Sequence, residues 1–254
     1  FIQKVYQGTH TYDEAGTYIL SFRYPGRKSG ILNLNFPNSE SISYYLGAAA
    51  RVTDNDAPNR SPRWLEPPID RAQVGAPFLD IPNAYDPDGD SLAYELIVPQ
   101  QELGQSVPNY QYPDGVMPSP DNILNLADYS YLWDAAPLEG YYSLAILVRS
   151  YRNGELWEES IRDMLIPVID EANEAPVIDL IPIDEMPLCV EVGDTVTFSY
   201  SFSDTEAGNL TATITSGLLE GFDNPAVATI DVIGNSGTGS FYWEVGAEHV
   251  RDQW

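Results

Sequence analysis

The segment Asp86-Pro87-Asp88-Gly89-Asp90 places three carboxylates on alternate residues of a short, turn-forming stretch. Hard cations such as Ca²⁺ take several oxygen ligands at close range, so this spacing is a candidate Ca²⁺ site. Asp54 and Asp56 of the preceding acidic segment are further ligands if that segment lies beside the turn. The pattern is not an EF-hand, whose loop has Gly at its sixth position and Glu at its twelfth; here Gly89 is fourth and Ile97 twelfth. A weaker copy, Asp204-Thr205-Glu206, keeps two carboxylates, with Asp170, Glu171 and Glu174 upstream. The same residues also have a purely structural reading. Asp, Pro and Gly at the first, second and fourth positions are a strong type I turn signal, and a solvated turn needs nothing more.

Other chemistry finds little footing. Only His10 and His249 could act as bases near neutral pH, and no Gly-x-Ser-x-Gly elbow is present to pair with either. Gly234 to Gly239 does not match a phosphate loop and reads as a hairpin loop. The chain therefore reads as non-catalytic. The alternative function is a carbohydrate- or substrate-binding module, in which Tyr110, Tyr112, Tyr129 and Tyr131 stack on sugar rings. They lie within a long irregular connection of the kind that often carries function.

The elements that must position these residues come from an internal repeat. Val74-Gly75, Asp86 and Leu92 recur as Val192-Gly193, Asp204 and Leu210, a constant offset of 118 residues (193−75, 204−86 and 210−92). Asn59 to Pro62 and Asn173 to Pro176 both precede a short apolar stretch and look like domain junctions, while Tyr131-Leu132-Trp133 matches Phe241-Tyr242-Trp243 at an offset of 110 (243−133). Arrays of repeats usually set distance, stiffness or adhesion. Short runs such as Tyr18 to Phe22, Ala93 to Val98, Tyr142 to Val148, Thr195 to Tyr200 and Leu210 to Ile214 predict strands, and Asn153-Gly154 predicts a type I′ hairpin. Gly16-Thr17-Tyr18 and Gly140-Tyr141-Tyr142 are expected to form tyrosine corners, each closing onto an upstream backbone group.

The fold class expected is all-β, with tandem Ig-like or cadherin-like β-sandwich domains of which the first and last are incomplete. Residues 1–57 are expected to be the C-terminal part of a sandwich or a small β domain, 58–172 a complete sandwich, and 173–254 the N-terminal part of a third. The chain has 254 residues and a net charge of −26, from 12 Lys and Arg against 38 Asp and Glu. Nucleic acid and anionic membranes are poor partners for such a surface, and no apolar run is long enough to insert into a bilayer. Cys189 is the one cysteine, so the chain forms no internal disulfide; after an apolar, Pro-rich segment it reads as a buried, inert thiol.

Gly8 to Tyr12 followed by Gly16-Thr17-Tyr18, then Asn38, Leu65 to Asp70, Ala84 to Leu92, Arg162-Asp163-Met164 and His249-Val250-Arg251 resemble, in their order, the large gliding-motility-associated proteins exported by type IX secretion. The resemblance implies an extracellular or bacterial cell-surface protein of Ig-like or cadherin-like repeats, serving adhesion or scaffolding. Its implied partners are neighbouring domains of the same long chain and a surface protein or glycan. Family members often carry more cysteines, so the resemblance carries over no disulfide network.

Overall fold

The computed structural model describes residues 6–54, 59–121, 123–127, 130–171, 176–180, 189–206, 210–220 and 222–250. Its regular structure is β strand with short 3₁₀ turns. The strands are β1 (Gly16–Tyr24), β2 (Tyr44–Val52), β3 (Arg63–Trp64), β4 (Ala72–Gln73), β5 (Phe78–Asp80), β6 (Ala84–Tyr85), β7 (Ser91–Ile97), β8 (Gln100–Glu102) and β9 (Gln105–Ser106). They continue as β10 (Leu124–Ala127), β11 (Ser130–Trp133), β12 (Gly140–Arg152), β13 (Glu155–Ile169), β14 (Val177–Leu180), β15 (Thr195–Ser203), β16 (Val227–Ile233) and β17 (Ser236–Glu244).

The longest pair, β12 and β13, turns at Asn153 and Gly154, both at positive φ (53° and 78°), as a type I′ turn requires. This hairpin is the middle of a sheet in the order β1-β2-β13-β12-β7, with β4 added in parallel to β13. A three-stranded sheet, β10-β11-β5, supplies Phe78, Tyr131 and Trp133 to the core they share with Tyr142, Leu144, Ile146, Met164, Ile166 and Val168. Trp133 meets Tyr142 edge to face with ring centroids 4.7 Å apart. Fully burying side chains of this size contributes about 1.5–3 kcal/mol each.

The opposite face of the hairpin is also buried. Ile31, Leu34, Ile42 and Val107 pack there against Tyr110, Tyr141 and Leu165. Asn33, 2% exposed, stands in for a strand neighbour: its Oδ1 accepts from the Ser143 amide (2.8 Å) and its Nδ2 donates to the Ser143 carbonyl (2.7 Å). Beside it Arg27 Nη2 donates to Asp163 Oδ2 at 2.7 Å, both side chains being almost fully buried. Burial pushes the Asp163 carboxyl above its ordinary range, and the Arg27 guanidinium pulls it back.

Residues 16–52 therefore share one continuous sheet with the module that follows, through Ala48, Ala49 and Ala50 of β2 paired with Ser160, Glu159 and Glu158 of β13. The boundary expected near residue 57 lies outside the described residues.

The 118-residue repeat is visible as shared register. Trp133 stands opposite Phe78 in β11–β5, and Trp243 stands opposite Val196 in β17–β15, with 196−78 again 118. Arg63 opposite Tyr85 recurs as Val177 opposite Ser203. The later sheet, β14-β15-β17-β16, is thus the counterpart of the sheet that covers β12 and β13. The Gly-rich segment turns at Gly234 and Asn235, but Gly237 and Gly239 lie within β17, where the rings of Phe202 and Tyr200 lie over them. Cys189 is exposed, contrary to the buried thiol expected; it is the neighbouring Val190 that packs against the core around Trp243.

Both tyrosine corners form. Tyr18 donates to the Glu14 carbonyl at 2.7 Å and Tyr142 to the Leu138 carbonyl at 3.1 Å. Replacing Tyr142 by Phe keeps the packed ring and strands that carbonyl, so a loss of about 1 kcal/mol is expected from the shift in urea midpoint at unchanged slope.

Candidate functional site

The acidic turn between β6 and β7 is built around Asp86. Its Oδ1 accepts from the Asp88 amide at 2.8 Å and from the Asp90 amide at 3.4 Å, while the Gly89 amide closes the turn on the Asp86 carbonyl (3.2 Å). An Asp side chain bonding the backbone two residues on is what makes this residue type favour such turns. Gly89 sits at φ 85°, where a side chain would be strained.

The other two carboxylates of the turn meet guanidinium groups. Arg152, the last residue of β12 before the hairpin turn, grips Asp90 with two bonds, Nε to Oδ1 at 2.7 Å and Nη2 to Oδ2 at 2.9 Å. The same Nη2 donates to Asn59 Oδ1 at 2.6 Å and reaches Asp88 Oδ2 at 3.4 Å. Arg60 donates through Nε to Asp88 Oδ1 at 2.8 Å and through Nη2 to the Pro87 carbonyl at 2.8 Å. The Arg152 guanidinium lies over the Trp157 ring, 4.3 Å from its centroid, and Arg51 also approaches that ring. Glu158, 6% exposed, accepts from Ser61 Oγ at 2.7 Å. The turn, the 59–61 junction and the hairpin tip are thereby fastened into one polar cluster. Bidentate Arg–carboxylate pairs are among the stronger hydrogen-bonded contacts a protein makes.

The Ca²⁺ ligands expected in the turn have partners within the protein. Asp88 and Asp90 direct their oxygens to guanidinium donors, and among the described residues no group of three or more His, Cys, Asp or Glu side chains is placed to hold a metal ion. Asp54 follows β2 and lines a surface cavity of about 350 Å³ with Gly16 and Arg51. Asp56 is outside the described residues. In the second copy Asp204 Oδ1 accepts from the Glu206 amide at 2.8 Å, reproducing the Asp86 bond to Asp88. The repeat thus retains the turn-forming bond, whereas residues 170–250 contain no Lys or Arg to supply the clamp.

The tyrosines expected to stack on sugar rings lie in different surroundings. Tyr131 is fully buried beneath the β5–β11 sheet; Tyr110 is held down by its bond to the Ser143 carbonyl, and Tyr112 donates to the Leu96 carbonyl. Tyr129 lies outside the described residues. The alternation Ser130-Tyr131-Leu132-Trp133 points Tyr131 inward with Trp133, and that period-2 pattern was the signal available for a core position. His249 is buried with its Nδ1 accepting from the Gly246 amide at 2.8 Å, while His10 is exposed beside Tyr12.

Sequence reasoning missed Arg152, Arg60 and Glu158 as partners of the turn. One clue was present: Arg152 immediately precedes the Asn153-Gly154 turn, and cations are scarce in this chain.

Among solved structures, the chain is similar to a chimeric titin Z1Z2–Z1Z2 tandem (13% identity, 73% of this chain and 86% of that chain, TM-score 0.22). It is also similar to the titin Z1Z2 domains in complex with telethonin (12% identity, 73% and 82% covered, TM-score 0.24) and to a three-Ig-domain segment of titin (12% identity, 93% and 85% covered, TM-score 0.21). No family model matches the sequence, and no curated protein matches it. The chain is an all-β protein built of mainly antiparallel sheets.

Two measurements test the turn. Replacing Arg152 by Ala leaves the Asp90 carboxylate buried without its main partner, and a loss of about 3 kcal/mol is expected in denaturant unfolding. Burial pushes the Asp86 carboxyl up to about 6. A carboxyl whose pKa is raised by folding binds its proton more readily in the folded chain. Asp86 therefore adds stability as pH falls from about 6 toward the unfolded value near 4, and the gain is lost as pH rises back through that window. Asp86→Asn keeps an oxygen acceptor for the two amides without the charge, so it should flatten this part of the profile of melting temperature against pH.

Proposed function

We propose that this chain is a non-catalytic structural segment of a secreted or cell-surface protein, in which tandem sandwiches set distance and stiffness between partners. The observation that carries this reading is the joint between the middle module and the later one. The Tyr85 ring seats over Gly217, where an added Cβ would overlap it, and meets Phe222 with centroids 6.1 Å apart. Alongside, Asn83 Nδ2 donates to Thr215 Oγ1 at 2.9 Å, and that hydroxyl donates to Glu66 Oε1 at 2.6 Å. Inter-domain contacts that combine aromatic packing with a hydrogen-bonded chain restrict the relative motion otherwise expected of linked domains. The Pro-containing junctions add backbone stiffness of their own.

The order of motifs shared with gliding-motility-associated proteins supports an exported, bacterial cell-surface setting, with neighbouring domains of a long chain and a surface protein or glycan as partners. The strongly acidic surface supports solubility there and disfavours nucleic acid. Stiffening by Ca²⁺ is the competing source of rigidity; in our reading Arg60 and Arg152 already supply the positive charge at the acidic turn. EDTA or excess Ca²⁺ should then leave the melting temperature unchanged, and a chelator-sensitive midpoint would return the turn to a cation.

Small-angle scattering tests the spacer reading. The chain should scatter as one extended particle of defined shape. Gly217→Val, which displaces the Tyr85 ring, should broaden the distribution of sizes while the near-ultraviolet spectrum of the β12–β13 core stays the same. A wild-type profile that already requires a wide ensemble of domain orientations contradicts it.

A further inference from the structure

Ile31 and Leu34 cover one face of the β12–β13 hairpin around Tyr141 and Leu165. Leu147 and Ile161, paired with each other further along the same face, line a cavity of about 520 Å³. Its opposite wall is the β8–β9 hairpin, through Gln100, Leu103, Gly104 and Ser106. That hairpin is fixed at its base. Arg27 Nη2 donates to the Gln100 carbonyl at 3.0 Å, and the Val107 amide donates to the Pro99 carbonyl at 2.8 Å.

Small residues keep the cavity open as a slot. Gly47 and Ala49 of β2 line its sheet side, and Gly104, at φ 68°, lies in the turn of the hairpin. Packed β layers stand about 10 Å apart because side chains fill the space between them, and residues this small fill little of it.

Tyr45, two residues from Gly47 on the same face of β2, also lines the slot. It is 3% exposed, and its hydroxyl has no hydrogen-bond partner. The ring lies over Gly47, where an added Cβ would sit 3.0 Å from Cε1 and 3.1 Å from the hydroxyl oxygen. Leaving a buried hydroxyl unpaired is costly, so a guest that supplies an acceptor to it gains more than an exchange with water gives. Glu95 and Glu159 line the slot as well, and both accept from Arg149, at 2.6 Å and 2.7 Å. Two carboxylates sharing one guanidinium leave a net negative charge, which disfavours an anionic guest.

We propose that this slot is a binding site for an uncharged aromatic compound carrying a carbonyl oxygen. The flat ring lies between Gly104 and the Gly47–Ala49 stretch, and the oxygen accepts from the Tyr45 hydroxyl as that side chain tilts off Gly47. A mostly apolar cavity of this size with a few polar groups is the usual form of a small-molecule site. The slot lies apart from the Tyr85–Gly217 joint and from the acidic turn, so this proposal and the spacer reading fail separately.

Titration of the whole isotope-labelled chain with acetophenone, followed by amide NMR, tests it. The amides of Gly47, Leu103, Gly104, Leu147 and Ile161 should shift together along one saturable curve. Tyr45→Phe should bind about fivefold more weakly, and its melting temperature should not fall, because the hydroxyl it removes has no partner. Ala49→Leu fills the slot and should abolish the shifts, while the amides of Leu144 to Ile146 keep their wild-type positions. Benzoate, of similar shape but charged, should bind more weakly than acetophenone. Wild-type shifts that do not saturate, or that scatter over the surface, overturn the proposal and leave the slot to water alone. Equal affinity in Tyr45→Phe overturns it too, since the hydroxyl then takes no part, as does undiminished binding by Ala49→Leu or by benzoate.

Discussion

The hairpin of β12 and β13 is buried on both faces, and this requirement organises most of the chain. One face takes the aromatic residues of β5 and β11 and becomes the sandwich core. The other takes Ile31, Leu34 and Ile42 from the connection between β1 and β2, together with Val107. A strand covered on one side alternates apolar and polar residues, whereas β12 is buried continuously from Tyr142 to Ile146 because neither side meets water. The edges are used as well, with β7 on one side and β2 on the other. Removing the 25–43 connection would expose Ser143 and Asp163, whose polar groups are satisfied by Asn33 and Arg27.

The scarce cations are placed where carboxylates or carbonyls must be held. Arg27 neutralises Asp163 inside the fold; Arg152 and Arg60 fasten the acidic turn, and Arg149 bridges Glu95 and Glu159 across neighbouring strands. Arg162 lies over Trp64 and donates to the carbonyls of Glu66 and Pro67, tying the module's first segment to β13. A buried ion pair adds little to net stability compared with an apolar replacement, but losing one partner is costly. These arginines therefore specify how segments meet more than how strongly the core holds.

The sandwich architecture was legible in the sequence because it rests on local signals: period-2 alternation, Asn153-Gly154, and glycine-tyrosine pairs that form corners. The repeat was legible because the 118-residue spacing survives from Phe78 to Val196, whose partners are Trp133 and Trp243. The joining of residues 16–52 to β13 was not, since pairing Ala48–Ala50 with Glu158–Ser160 is a long-range choice that no local pattern announces. At the turn, Asp86 was read correctly as turn-forming, but the carboxylates at Asp88 and Asp90 suggested a cation because Arg152 lies about sixty residues away in sequence. Tyr131 looked available for a ligand until its alternation with Trp133 placed it inside.

The central claim is that the 25–43 connection and the β12–β13 hairpin form one cooperative unit, held by Asn33, by the Arg27–Asp163 pair and by the packing around Ile31. Native-state hydrogen exchange read at single residues tests it most directly. The Leu32 amide, bonded to the Tyr141 carbonyl, and the Ser143 amide, bonded to Asn33, should open only with the amides of Leu144 to Val148, within about 1 kcal/mol of the same free energy. Exchange of Leu32 and Ser143 through a separate opening, several kcal/mol below that of the strand core, would contradict the account.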